Sequence, residues 1–432
     1  MVAPSVLFNP VSLNITITLI LDSYGVNYLP ISKGVTGFFN DFKPSGKQSK
    51  GGEKATATRG RIMVGQPAAG HQPAEDMKGD LPAMQTFDDN GYHLSEYVEF
   101  EGGAKDHTEK HIDYYLWQHK DTLGSKYRPD PSYLNLHSNK DNAVCIAAVG
   151  LQTPISDQEY IITGDMLKHC GYKYYDSEVV IPQGADESQS VEHRPYCFWI
   201  GGEQPDIPDH LFFHLPDLTN SQQAAKVYNE SKEQLCNVPP RMNYYSGDIK
   251  KKNWRPSVFQ PNLEYYERAD GSISDNSTQF DAGWVLDRNH WKWRVTLDGE
   301  SSYAPLLPGE EHNPDAKDGI KLPPLKRAVS PKFWDQWDHI FSLTSNTAER
   351  YSAKTKCAEI ENGFAGPDWA NSAEKLYCHM RTGEVLPFCA DAQDERACFD
   401  IENEVLREGM SSERKSARDL KTLKKTQRWD FS

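Results

Sequence analysis

The sequence predicts a mainly β protein, an antiparallel sandwich or barrel-like body with a short disulfide-tied helical region towards the C-terminus. Three observations carry that prediction. Aromatic residues make up 11% of the chain, including 21 Tyr and 10 Trp, and rings with β-branched residues suit pleated, half-buried surfaces. Gly (30) and Pro (27) punctuate short β-prone runs at turn spacing. The eight cysteines, Cys145, Cys170, Cys197, Cys236, Cys357, Cys378, Cys389 and Cys398, form two local groups of four without a CxxC pair, which favours disulfides over zinc.

The elements follow in order. Residues 1–90 read as an N-terminal segment with a flexible linker. The apolar run Ile15–Leu21 is too short and too polar in context to span a bilayer, and it lacks the basic flank of a signal peptide. "KPSGKQSKGGEKATATRGRIMVGQPAAGHQPAED" within residues 41–90 has little to bury. A β-rich body is expected over 91–325, from "YHLSEYVEFEGG", "YYLWQHK", "NAVCIAAVGLQT", "EYIITGD", "YCFWIGG" and "HLFFHLPDL". In "WKWRV", alternation puts Trp291, Trp293 and Val295 on one face.

Helices are expected at "NSQQAAKVYNESKEQLC" and, within a C-terminal region over 326–412, at "SPKFWDQWDHIFSL", "NTAERYSAKTKCAEI" and "ACFDIENEVLREG". Residues 413–432 form a basic tail, read as a solvated helix face or an unstructured end. With bridges local to each cysteine group, the expected pairs are Cys145–Cys170, Cys197–Cys236, Cys357–Cys378 and Cys389–Cys398, although four cysteines always leave three connectivities open.

A net charge of -15 argues against nucleic acid or an anionic membrane as the main partner, because both are repelled at long range. No G-x-S-x-G, Walker A, dinucleotide loop, H-E-x-x-H or EF-hand pattern occurs, so no cofactor is expected. The sequons at Asn14, Asn229 and Asn276 fit a secreted glycoprotein.

Several residues are candidates for chemistry. In "DHLFFHLPDL", His210 and His214 would share a metal on a helix, but Pro208 and Pro216 leave too little room for one. In a strand their Cβ atoms stand about 13 Å apart, beyond the reach of one ion, so no metal site is expected and His214 becomes a structural or pocket residue. "HTEKH" at His107–His111 is polar throughout and reads as a solvated loop. Asp165 in "TGD" suits a turn cap, with acid/base work as the alternative. Trp199 beside Gly201 and Gly202 suits core packing or the wall of an apolar pocket. Asp287, Arg288, His290, Trp291 and Trp293 suit a tight hairpin or a ring-stacking surface.

The blocks "CIAAVGLQTP", "YIITGDMLKHCGYKYYDS", "YCFWIGGE", "LFFHLPDL", "YNESKEQLCNVPPRMNYY" and "SNTAERYSAKTKCAEIENGFAGPDWANSAEKLYCHM" resemble a widespread group of uncharacterised secreted proteins of filamentous ascomycete fungi. The resemblance implies an extracytoplasmic, β-rich, disulfide-containing protein. In size and composition the chain is also similar to fungal cofactor-free hetero-Diels-Alderases of tropolone-sesquiterpenoid pathways. That analogy implies catalysis by orientation in an aromatic pocket with one or two hydrogen bonds to the heterodiene. The candidate catalytic residues are then His214, Tyr175 and Arg241, and the substrate-binding ones Trp199, Trp291 and Trp293. A secreted carbohydrate-binding or effector-like protein without catalysis is the alternative, so the expected partner is an apolar small molecule or a carbohydrate.

Overall fold

A computed structural model describes residues 38–39, 42, 57–66, 79–95, 111–117, 129–138, 142–183, 191–201, 207–218, 233–236, 241–245, 258–260, 292–297, 300–305, 340–392, 397–407, 421–422 and 425–428. Strands dominate, most of them antiparallel, and no described sheet closes into a barrel. The first strands are β1 (Ala57–Val64), β2 (Ala83–Phe87), β3 (Ile112–Trp117), β4 (Tyr133–His137), β5 (Val144–Gln152) and β6 (Glu159–Thr163). After helix α1 (Gly164–His169) come β7 (Tyr174–Tyr175), β8 (Ile181–Gln183), β9 (Val191–His193), β10 (Cys197–Ile200) and β11 (His210–His214).

The largest sheet has the order β3-β1-β5-β10-β7, with β6 also on β5. β5 is central because VCIAAVGLQ is buried at every position, the pattern of a strand covered on both faces. β1 corrects the linker reading of residues 41–90. Arg61 looked like linker charge, yet it is buried and pairs with Asp113 of β3 at 2.6 Å, while its guanidinium lies 5.4 and 5.5 Å from the Phe38 and Phe39 ring centres. The ordered body therefore starts far before residue 90; a charge legible only as solvated finds its partner across the sheet.

A second, four-stranded sheet runs β12-β11-β4-β2, where β12 (Met242–Tyr245) follows the short helix α2 (Glu233–Cys236). Met84, Leu134, Leu136, Leu211, Phe213 and Met242 point one way into the main core. Next come β13 (Val258–Gln260), β14 (Lys292–Leu297) and β15 (Glu300–Pro305), which form a three-stranded sheet.

The C-terminal region contains one short disulfide-tied helix, α3 (Ala353–Glu359), capped by Ser352, whose side chain accepts from the Thr355 N–H. Otherwise it is built of strands: β16 (Ile340–Thr344), β17 (Asp368–Asn371), β18 (Leu376–His379), β19 (Glu384–Pro387), β20 (Cys398–Asp400) and β21 (Val405–Arg407). Two predicted helices are thus corrected. The end of "SPKFWDQWDHIFSL" is β16, paired in parallel with β17, and "ACFDIENEVLREG" is the β20–β21 hairpin. The basic tail is also corrected, since β22 (Lys421–Thr422) pairs with β21 and β23 (Lys425–Arg428) runs parallel to β16. Helical spacing of apolar residues cannot tell a helix from a strand whose partners lie elsewhere in the chain.

All eight cysteines are bridged, as Cys145–Cys197, Cys170–Cys236, Cys357–Cys378 and Cys389–Cys398. The two C-terminal pairs are the expected ones; the two N-terminal pairs are exchanged. Register explains the exchange: β10 lies beside β5 with Trp199 opposite Cys145, which brings Cys197 within reach of Cys145, while Cys170 caps α1 and meets α2. Sequence proximity favoured Cys170 as the partner; sheet pairing decided otherwise.

Candidate functional site

The opposite face of the four-stranded sheet is polar and aromatic, and it is buried except at the half-buried Gln85. β4 contributes Tyr133, Asn135 and His137, β11 contributes His210, Phe212 and His214, β2 contributes Gln85 and Phe87, and Asn243 comes from β12. Period-two alternation puts these residues on one face and the aliphatic ones on the other. His137 and His210, directly opposite in register, stack at 3.9 Å with ring planes 12° apart. Phe87, Tyr133 and Phe212 pack with Val258 as a separate apolar cluster against this face.

The strand "HLFFH" ends in a 3-10 turn, Leu215–Leu218, that swings Asp217 back onto the strand. Its Oδ2 lies 2.9 Å from Nδ1 of His214 and its Oδ1 lies 3.4 Å from Nε of Arg241. Arg241 is held in place because its carbonyl accepts the His214 N–H at 2.8 Å, continuing the β11–β12 ladder by one step. A carboxylate at Asp217 accepts, so His214 donates to it through Nδ1 and leaves Nε2 on the other side of the ring for further contacts. The His214 ring also lies 4.7 Å from that of Tyr133.

Asn135 stands at the middle of this face, fully buried, opposite Phe212 on one side and Gln85 on the other. Gln85 is engaged with His93 at 2.7 Å. Neither Nδ2 nor Oδ1 of Asn135 has a hydrogen-bond partner among the described residues. An unsatisfied buried amide costs about 1–3 kcal/mol, so it marks a place where a bound molecule can recover energy.

A second polar cluster joins the six-stranded sheet to the C-terminal region. Asp176, just beyond β7, is buried with Lys356 of α3 at 2.6 Å and Arg350 at 3.1 Å. Glu178 accepts from the Tyr351 hydroxyl at 2.6 Å and pairs with Arg194 at 3.0 Å; burial holds its carboxyl above the usual range. Lys168 reaches Glu359 at 3.4 Å and lies 3.9 Å from the Tyr196 ring centre; burial pulls its ammonium down and pushes the Tyr174 and Tyr196 phenols far up. Asp165, at the start of α1, pairs with His193 at 2.8 Å.

The structure brings together His214 and Arg241, with Asp217 between them. It puts the other candidates elsewhere. Tyr175 lies in β7, its hydroxyl bonded to Ser342 at 2.9 Å and to the Pro367 carbonyl, its ring stacked on Phe364. Trp199, in β10, is fully buried and its indole N–H donates to the Ala365 carbonyl at 2.6 Å, which is core packing. Trp291, Asn229, Asn276, Asn14, Asp287, Arg288 and His290 lie outside the described residues; Trp293 is described only as backbone of β14. Of "HTEKH", only His111 is described, 3.6 Å from Asp113. Asn135, His137 and Lys356 carried no sequence signal, whereas the three-residue offset of His214 and Asp217 is visible in "HLPD".

No protein-family model matches the chain, and no curated protein matches it. Solved structures that match in part include a Delta413-417:GS I805A LOX and a delta413-417:GS LOX in complex with arachidonate. Each has a TM-score of 0.19 and 11% and 10% identity respectively, and the match covers 49% of this chain and 23% of theirs. Four disulfides, with no described helix long and apolar enough to cross a membrane, are compatible with an extracellular or secretory-pathway protein.

Proposed function

We propose that this chain is a secreted, cofactor-independent enzyme acting on a small, largely apolar substrate over the polar face of the four-stranded sheet. The observation that carries the reading is the convergence of His214 and Arg241 on Asp217, on a sheet face that also holds the Asn135 amide, which has no hydrogen-bond partner among the described residues. An aromatic surround binds flat or terpenoid carbon skeletons, and a few fixed polar groups orient them. The specific reaction proposed is a hetero-Diels-Alder joining of a tropolone-derived quinone methide to a terpenoid alkene. Such a reaction needs alignment of two partners and a hydrogen bond to the heterodiene oxygen, and a preorganised donor contributes about 2.7–4 kcal/mol in comparable sites. His214, held through Nδ1, is the donor or base, and Arg241 sets its position through Asp217.

The test is incubation of the protein with a quinone methide precursor and a humulene-type alkene. The expected result is faster adduct formation with a single stereochemistry, reduced on the order of 100-fold in His214→Gln. Adducts whose rate and stereochemistry are the same without protein sink the proposal. A non-catalytic carbohydrate-binding role is the second reading. It rests on the position of Trp293 in the middle strand of the β13-β14-β15 sheet, opposite Phe259 and Ala304.

A further inference from the structure

The geometry points to an intramolecular amide bond between the Lys356 side chain and the Asp176 carboxyl, formed by loss of water. Both side chains are fully buried and Nζ lies 2.6 Å from Oδ2. Glu359, one turn along α3, puts Oε2 3.7 Å from the same nitrogen while its Oε1 faces Lys168 at 3.4 Å. Nζ of Lys356, Oδ2 of Asp176 and Oε2 of Glu359 are buried, and none of the three makes a hydrogen bond of good geometry to a described residue. Arg350 holds the remaining carboxyl oxygen, Nε to Oδ1 at 3.1 Å. The ring centres of Phe364, Trp369 and Tyr196 lie 4.5, 5.6 and 5.7 Å from Nζ and surround it with apolar faces.

Each part has a task in the condensation. Glu359 takes a proton from the Lys356 ammonium, and the freed amine attacks Cγ of Asp176, whose Oδ2 the fold already holds 2.6 Å from Nζ. Arg350 stabilises the negative charge that develops on Oδ1. The new bond is Nζ–Cγ and the bond that breaks is Cγ–Oδ2. Glu359 returns its proton to Oδ2, which leaves as water with two of the three ammonium hydrogens, and the third stays on the amide nitrogen. The opposite charges disappear together, and no oxidant, metal or cofactor is consumed. The aromatic surround keeps water from reversing the step. The product ties the six-stranded sheet to α3 by a covalent link that reductant cannot open, next to the Cys357–Cys378 bridge.

Intact mass of the full-length protein after complete disulfide reduction tests this directly. The expected mass lies one water below the sequence mass, and a protease digest yields a branched species joining the peptides of Asp176 and Lys356. Asp176→Ala should restore the full mass, but it leaves Lys356 buried without its partner and can unfold the chain. Glu359→Gln, at a partly exposed position, keeps the side-chain size; it should show a wild-type near-ultraviolet circular dichroism spectrum and yet carry the full mass. Wild-type protein at its full sequence mass overturns the proposal, and so does a deficit that persists in Asp176→Ala.

Discussion

Asn135 shows how one residue can report a site. A carboxamide in mid-strand, buried with neither polar atom bonded to a described residue, is a cost that a sheet of this kind avoids with an aliphatic side chain. Asn135→Leu removes the unsatisfied groups at nearly constant volume and is expected to raise the unfolding free energy by on the order of 1 kcal/mol in urea titration, while lowering activity at the same face. Unchanged activity with raised stability would make Asn135 a tolerated defect rather than a recognition group. At this scale the sequence was partly legible. The strand assignment of "HLFFH" and the separation of its two histidines follow from period two, and so did the rejection of a shared metal. The partner of His214 is three residues away and could be read locally, whereas Arg241 reaches it only because β12 pairs with β11. Trp199 beside two glycines read first as core, with a pocket wall as the alternative, and its bond to the Ala365 carbonyl fits the core reading.

The β20–β21 hairpin illustrates the element scale. The stretch "ACFDIENEVLREG" is expected to be helical, but Asp400 acts as a turn anchor. Its Oδ1 accepts the Asn403 N–H at 3.1 Å and its Oδ2 accepts the Asn403 amide at 2.9 Å, with Arg407 on the same oxygen. Side-chain and backbone hydrogen bonds from Asn403, then Arg407, hold the carboxyl below its usual range. A depressed carboxyl stabilises the fold above its unfolded value, about 3.9, and loses that contribution as pH falls through the folded value. The stability gap between wild type and Asp400→Ala should therefore be present at neutral pH and vanish in strong acid, as read by denaturant titration at both pH values. A gap independent of pH would mean that the hydrogen bonds of the ionised form contribute nothing. The same carboxylate was invisible as a turn signal because the sequence places it inside an apolar run rather than beside Gly or Pro.

At the scale of the whole molecule, the disulfides and the buried ion pairs tie together segments far apart in the chain. Cys145–Cys197 closes a loop of sequence separation 52 between adjacent strands of the main sheet. On loop entropy alone such a bridge contributes about 4 kcal/mol, so the double variant Cys145→Ala, Cys197→Ala should unfold at markedly lower denaturant with the same cooperativity. An unchanged midpoint would put the stability of that sheet entirely in its packing. The sequence by itself determined the β-rich class, the oxidised cysteines, the strand character of the histidine stretch and the absence of a familiar nucleotide or metal motif, because these depend on composition and on periods of a few residues. Only the tertiary structure decided that Arg61 and Lys356 are buried, that Cys145 bonds Cys197, and that Asp217 gathers His214 and Arg241. Each of those depends on which distant strands are neighbours, and strand partners are chosen by the complementarity of whole faces rather than by any local pattern.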